Sequence, residues 1–372
     1  MKKSLVALAA LAATGAFAQS TVTISGNIDM SYVSAKTAAG TNFSGIASGA
    51  TSTSKIIFSG SEDLGGGLSA IFRANSTIVG DRGNTFQRNA NPNLGTGAAA
   101  TAATNQGLAF GDRDLYIGLK GGFGEVRAGR NQSISDDNNN ATGHAGSVWT
   151  YFMANSASFG GINRAYSAAP QLGSLGRISD SVKYLSPVFN GFQVQALYGF
   201  GERINRASEG SVTEAQISYS AGPLAAAYSI GRVAAAANDS TTFGTLAQSS
   251  SQATLSEVAA GNKSDESRLM ASYDLGVAKV NVGSYRQKVG TAGTDKAWHV
   301  TGTVPVNAWT FGATYMNLKG GDNAGSIKGY SVSARYDLSK RTNAYAFYRT
   351  MDKLSTQTSR PSAVYVGMNH AF

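Results

Sequence analysis

Val22-Thr23-Ile24-Ser25-Gly26-Asn27-Ile28-Asp29-Met30-Ser31-Tyr32 is the stretch on which the architecture turns. Its apolar side chains fall at Val22, Ile24, Ile28, Met30 and Tyr32, and its polar ones at Thr23, Ser25, Asn27, Asp29 and Ser31. A period of two puts the two sets on opposite faces of an extended chain, which reads as one strand with a greasy face and a wet face. The far end repeats the pattern, with Val364, Val366, Met368, His370 and Phe372 opposite Tyr365, Gly367, Asn369 and Ala371. Between them it returns at Phe192 to Tyr198, Trp309 to Tyr315 and Tyr330 to Tyr336. Strands dominate the chain from end to end.

Composition agrees. Of 372 residues only 14% are charged, 45 are Gly and none is Cys, whereas a soluble domain carries roughly 25% charged residues. A helix-rich soluble enzyme is unfavoured, and 16 Tyr with 16 Phe are too much aromatic material for a disordered chain. Without Cys there is no disulfide framework, thiol catalysis or thiolate metal site. Met1-Lys2-Lys3, the apolar run from Leu5 to Ala13 and the small-x-small Ala16-Phe17-Ala18 have the form of a secretory signal, residues 1–18, with cleavage after Ala18. Loss of Lys2 and Lys3 takes the net charge from +9 to +7. No other segment holds the ~20 apolar residues of a spanning helix, so a membrane would be crossed by a closed barrel, the other structure that pairs every backbone group in lipid.

The connections alternate in length. Tight Gly-, Asn-, Asp- and Pro-bearing turns sit at Asp63 to Gly67, Gly121 to Gly124, Pro187 to Gly191, Ser220 to Pro223, Asp274 to Gly276, Pro305 to Asn307 and Asp337 to Arg341. Polar stretches separate them, at about 34–50, 79–108, 131–176, 202–209, 233–264, 289–296, 319–326 and 352–361. Seven turns and eight loops connect sixteen strands. The expected fold is therefore all-β, a 16-stranded antiparallel transmembrane barrel over 19–372, with short periplasmic turns and long extracellular loops. A soluble sandwich or propeller also needs one-sided strands, but does not alternate its connections in this way.

Several segments resemble the general trimeric porins of Gram-negative bacteria, particularly the β-proteobacterial branch with sixteen strands. They are Val22 to Asp29, Phe58 to Leu68, Arg113 to Arg130, Ser181 to Pro187, Lys340 to Thr342 and Val366 to Phe372. The resemblance implies an outer-membrane homotrimer surrounded by lipid. It also implies that Phe372, a terminal aromatic, is the assembly signal read by the barrel-insertion machinery. By position, 131–176 matches the family's inward-folded third loop, which constricts the lumen. Its only acids are Asp136 and Asp137, and cations facing them would set up a transverse field. The family's pattern places wall cations at Lys55, Arg130 and Arg177.

Alternation gives independent support for part of this set. Lys55 opposes Ile56, Arg73 opposes Phe72, and Arg127 opposes Val126 and Ala128; Arg177 and Lys183 share parity with Ser179 and Ser181. All five point into the lumen on this reading, as residues of the wet face do in any barrel. Arg130 falls on the same side as Val126, and joins the set only if Gly129 interrupts the strand. A lumen lined with Arg and Lys concentrates anions.

Other chemistries find no footing. His144, His299 and His370 lack metal-ligand spacing, Gly118 to Gly124 leads into a strand and not the helix of a phosphate loop, and no Lys/Arg run is interleaved with aromatics for nucleic acid. Neither a cofactor nor a catalytic set is expected. The sequence reads as an outer-membrane general diffusion porin passing small anionic and neutral solutes, with anion selectivity. The alternative is a substrate-selective anion porin, for example for phosphate or organic anions; an adhesin or a barrel hydrolase stands further off, the latter lacking a Ser/His/acid group.

Overall fold

The computed structural model describes residues 21–36, 40–80, 84–85, 111–141, 176–200, 211–234, 263–289, 294–319, 326–353 and 358–372. The expected signal segment, His144 and most of the expected third loop lie outside them. The strands are β1 (Thr21–Lys36), β2 (Asn42–Ser48), β3 (Lys55–Gly65), β4 (Leu68–Val79), β5 (Asn84–Thr85), β6 (Leu115–Gly121), β7 (Gly124–Gln132), β8 (Arg177–Leu185) and β9 (Phe192–Gly199). They continue as β10 (Val212–Ala221), β11 (Leu224–Ala234), β12 (Lys263–Asp274), β13 (Lys279–Val289), β14 (Thr294–Val306), β15 (Trp309–Lys319), β16 (Ser326–Asp337), β17 (Thr342–Met351) and β18 (Ser362–Ala371). One helix, α1 (Ile134–Ala141), follows β7.

Each strand pairs antiparallel with its neighbours, and β1 pairs with β18 to close the ring. Setting aside the two short elements β2 and β5, the wall has sixteen strands. Closure leaves no open edge, which lipid would not tolerate. The last residue takes part: Phe372 N donates to Gly26 O at 3.0 Å, and Gly26 N returns a bond to Phe372 O at 3.0 Å.

Side chains divide as the alternation requires. In β9, Phe192, Val194 and Tyr198 are exposed on the outer wall while Gln195 is buried inside. Ile117 and Val22, each 66% exposed, belong to the lipid-facing band. The interior is less uniformly wet than a simple channel. On β12–β18 it carries Tyr285, Met316, Leu318, Ile327, Phe347 and Tyr365, all buried, and Phe347 stacks on Tyr365 at 4.5 Å between ring centres.

The second wall strand departs from the sequence reading. Residues 34–50 were expected to form a loop, yet β1 stays paired to Lys36, with Asn42–Ser48 beside it. The chain then leaves the wall over 49–54 and rejoins as β3, which pairs with the lower half of β1. Asp29, fully buried, holds this excursion. Its carboxylate accepts from Thr51 N at 2.9 Å, Ser52 N at 2.8 Å, the Thr51 hydroxyl and, across the closing strands, Tyr345 Oη at 2.5 Å. Buried charge is stable only when paired or fully hydrogen-bonded, and this one collects backbone donors that would otherwise be unsatisfied. Gly367 makes room for it, since a Cβ there would lie 2.5 Å from Tyr345 Oη.

Candidate functional site

One arc of the inner wall, β3 to β8, gathers most of the predicted cations. Lys55 opens β3 and donates to Ser52 Oγ of the excursion at 3.3 Å, within electrostatic reach of Arg73, Arg113 and Arg177. Arg73 projects from β4 toward Asp114, 3.4 Å away. Arg127, on β7, pairs with Glu125 and lies 4.7 Å from the centre of the Tyr116 ring. Its direct cross-strand neighbour is Lys183 on β8.

Arg130 reaches the same side because the ladder breaks where the sequence needed it to. The β7–β8 register shifts between Gly129 and Asn131, and Gly129 sits at φ +130°. A bulge at a left-handed glycine re-aims the following side chain. Arg130 Nε donates to Asp112 O at 2.9 Å and Nη1 to Ser179 Oγ at 2.7 Å.

The expected acids come to this arc, but in a different relation to it. Strand β7 runs two residues past Arg130, and α1 begins at Ile134 with Ser133 as its cap, whose Oγ accepts from Asp136 N at 3.2 Å. Asp136 and Asp137 occupy the first turn, where the helix dipole favours negative charge. Asp136 Oδ2 accepts from Arg177 Nη1 at 2.9 Å, and Asp137 Oδ2 contacts Lys183 Nζ. The field expected across the constriction is thus replaced, at Arg177 and Lys183, by contact ion pairs along the wall. Lys183 is fully buried, with a second bond to Gln132 O at 2.8 Å.

The far side of the helix is pinned by a residue that the sequence reading passed over. Glu214 on β10 is 2% exposed; its two carboxylate oxygens accept from Ile134 N at 2.8 Å and Ser135 N at 3.0 Å. These amides are among the four that a helix start leaves open. Asn138 Nδ2 adds a bond to Ser229 Oγ on β11 at 3.1 Å. The helix therefore bridges β8 to β11 on the inner wall.

Asp112, Arg113 and Asp114, just ahead of β6, also belong to the cluster. Asp114 takes Arg177 Nε at 3.0 Å and Asn75 Nδ2 at 3.1 Å. Burial by itself would raise its carboxyl, but Arg177, Asn75 and Arg113 outweigh this and hold it well below the usual carboxylate range. Burial, then the neighbouring Arg177, pushes Arg113 down to about 10, so that it stays charged at neutral pH. These three residues stand in a connection, where alternation says nothing about facing. Parity alone would have found Arg268 and Arg349, both buried inside opposite exposed Leu269 and the outer face of β17. Arg349 donates to Tyr365 Oη at 2.8 Å.

In the inward cluster of this arc, seven cations (Lys55, Arg73, Arg113, Arg127, Arg130, Arg177, Lys183) thus meet five acids (Asp112, Asp114, Glu125, Asp136, Asp137), a difference of +2 within the cluster. Among these residues no group of His, Asp and Glu could hold a metal ion. His370 faces outward and shares a 2.8 Å hydrogen bond with Thr342, while His299 is buried inside.

Comparison with known proteins gives a consistent outcome. The family model described as Gram-negative porin matches residues 4–355. Outer membrane porin protein 32 of Delftia acidovorans is 31% identical over 391 residues, covering 99% of this chain and 95% of its own. Major outer membrane protein P.IB of Neisseria meningitidis serogroup B is 32% identical over 212 residues, 55% of this chain and 52% of that one. Among solved structures, the anion-selective porin from Comamonas acidovorans superposes with a TM-score of 0.69 at 24% identity, over 95% of this chain and 100% of that one. The trimer form of OmpT from Vibrio cholerae gives 0.61 at 17% identity, over 95% and 99%.

Proposed function

The chain belongs to the Gram-negative porin family, and on that premise we propose that it is an anion-preferring general diffusion channel whose selectivity resides in the β3–β8 arc. That it is an outer-membrane porin follows from the family and the closed barrel; the preference for anions rests on one observation, the +2 excess of the arc. Lys55, Arg73, Arg113, Arg127 and Arg130 supply the field, reduced by Glu125 at Arg127 and by Asp114 at Arg73, while Arg177 and Lys183 pair with Asp114, Asp136 and Asp137 and so fix α1 in place. A low-dielectric wall focuses such a field into the water-filled passage. The anion selectivity named for the Comamonas porin supports this reading.

In the same account, residues 1–18 are a cleaved export signal and 19–372 the barrel, with residues after β7 narrowing it. Phe372, joined to Gly26 at the seam, is the signal for assembly by the insertion machinery. The barrel works as a homotrimer, as the trimer form of the Vibrio protein suggests. It has no catalytic role, since its task is passive passage of small hydrophilic solutes. Liposome swelling tests the proposal: with solutes of equal size and opposite charge, the anion should enter faster and its rate should rise linearly with concentration. Faster cation entry would refute anion preference, and saturation at low concentration would favour the substrate-selective porin.

A further inference from the structure

Four soft donors come together in one row across the inner wall, and no spacing along the chain announces them. Following the ladder from β12 to β17, Met270 is the register partner of Gly283, Gly283 of His299, His299 of Met316, Met316 of Gly329 and Gly329 of Met351. The row faces the inside of the barrel. Met270, His299, Met316 and Met351 are all buried, while Leu269, Val300, Tyr315 and Tyr330 beside them are exposed on the outer wall.

Order within the row decides what can touch. Gly283 has no side chain, so its neighbours on either side close over its backbone. Met270 Sδ and His299 Nδ1 lie 2.6 and 2.7 Å from the point that a Cβ would occupy at Gly283. The sulfur and the nitrogen are therefore no further apart than twice that distance. The imidazole leans toward β13, its ring centre 6.2 Å from that of Tyr285. On its other side stands Met316, its direct partner. Cβ atoms of such a pair are about 5 Å apart, and the flexible methionine side chain can bring its sulfur to the ring. Met351 faces Met316 across the second glycine, Gly329.

Thioether sulfur and imidazole nitrogen are ligands of soft, polarizable cations, whereas Mg(II) and Ca(II) require carboxylate, carbonyl or water oxygens. The row holds no Asp or Glu. Two donors on one metal ion, with bonds of about 2.0–2.3 Å, stand roughly 4 Å apart, a span that rotation of the Met270 side chain reaches. Gap filling by itself accounts for thioethers, which adapt to irregular cores. It gives no reason for an imidazole among them, since a polar ring costs more to bury than Leu.

We propose that Met270, His299 and Met316 form a binding site for a soft monovalent metal ion, Cu(I) or its congener Ag(I), with Met351 completing the set across Gly329. Because the row belongs to the inner wall, the ion arrives from the water-filled passage and not from lipid.

Titration of the purified porin with the bicinchoninate complex of Cu(I), under argon, tests this. The wild type should withdraw one Cu(I) per chain, and X-ray absorption should show sulfur and nitrogen bonded to copper; H299L should leave sulfur alone. Leucine keeps the volume of methionine, so M270L/M316L should fold and bind copper at least about 100-fold more weakly, no less than the loss on removing a ligand's outer support. G283A leaves every donor in place but drives a Cβ between Met270 and His299, and should also weaken binding. M30L/M368L alters a methionine pair of the outer wall and should bind as the wild type does, and excess Mg(II) should displace no copper. Failure of the wild type to withdraw copper, a shell without sulfur, equal retention by M270L/M316L or equal loss in M30L/M368L would overturn the assignment. Should the double variant fail to fold, M270L and M316L singly, each expected to weaken binding about tenfold, decide the same question.

Discussion

Replacing Glu214 by alanine should unfasten the start of α1 from β10 on the inner wall. The carboxylate accepts two backbone N–H bonds, from Ile134 at 2.8 Å and Ser135 at 3.0 Å. Each bond contributes about 0.5–3 kcal/mol, the upper end applying when the acceptor is charged, so the gross loss is about 1–6 kcal/mol. Alanine also removes a carboxylate that is costly to keep buried, which offsets part of the loss. A net figure of about 2 kcal/mol makes the undocked helix roughly 30-fold more populated. Because α1 remains tied to β8 through Asp136–Arg177 and Asp137–Lys183, it should swing and not detach, changing the lumen cross-section in steps. Single-channel recordings of E214A should show flickering between conductance levels where the wild type is steady. Glutamine keeps one acceptor oxygen but turns an amino group toward the second amide, so E214Q should flicker less than E214A. If E214A matches the wild type in conductance and in noise, the helix is not held by this carboxylate and the reasoning fails.

Asp114→Asn should lower the urea unfolding midpoint in lipid vesicles at pH 7. Since the folded-state carboxyl is depressed, its stabilisation is fully present above the ordinary carboxylate value and is lost as pH falls through the depressed one; the gap between D114N and wild type should narrow progressively as pH drops below about 4, and a gap constant with pH would contradict the ion-pair account. Gly129→Ala forces a side chain into φ +130° and against the Leu115 carbonyl, at about 1–2 kcal/mol or more; the bulge should shift, and a nitroxide at position 130 should move from the aqueous lumen toward lipid in spin-label accessibility. Tyr345→Phe deprives buried Asp29 of a donor and should cost about 1–3 kcal/mol in the same urea assay, an unchanged midpoint arguing against Asp29 as the anchor of the excursion.

The wall was legible in the sequence because each strand separates water from lipid, so every second residue in β1, β9 or β18 reports its side. That signal ends wherever the chain leaves the wall. Among its described side chains helix α1 has one buried apolar residue, Ile134, in a run of Ser, Asp and Asn; it is held by Ser133, by the pairs to Arg177 and Lys183 and by Glu214, 80 positions from Ile134, and no local pattern encodes these partners. Asp112, Arg113 and Asp114 join the arc from a connection, where parity has no meaning. Arg130 was misdirected by simple alternation and recovered by Gly129, the one local cue to the bulge. The excursion at 49–54 escaped for another reason, since Gly49-Ala50-Thr51-Ser52-Thr53-Ser54 reads like the end of any polar loop and its anchor, Asp29, reads like any wet-face residue of β1.

On the proposed function, the +2 excess of the arc sets the ion preference. Lys55, Arg73 and Arg127 all keep partial access to the lumen, and neutralising the three together takes the excess from +2 to −1. The direct measurement is the zero-current potential across a KCl gradient in a planar bilayer, wild type beside K55Q/R73Q/R127Q. The wild type should show a chloride-directed potential that crosses to potassium in the variant while the channel stays open. A potential that ignores the substitutions, or a wild type that prefers potassium from the start, would contradict the account.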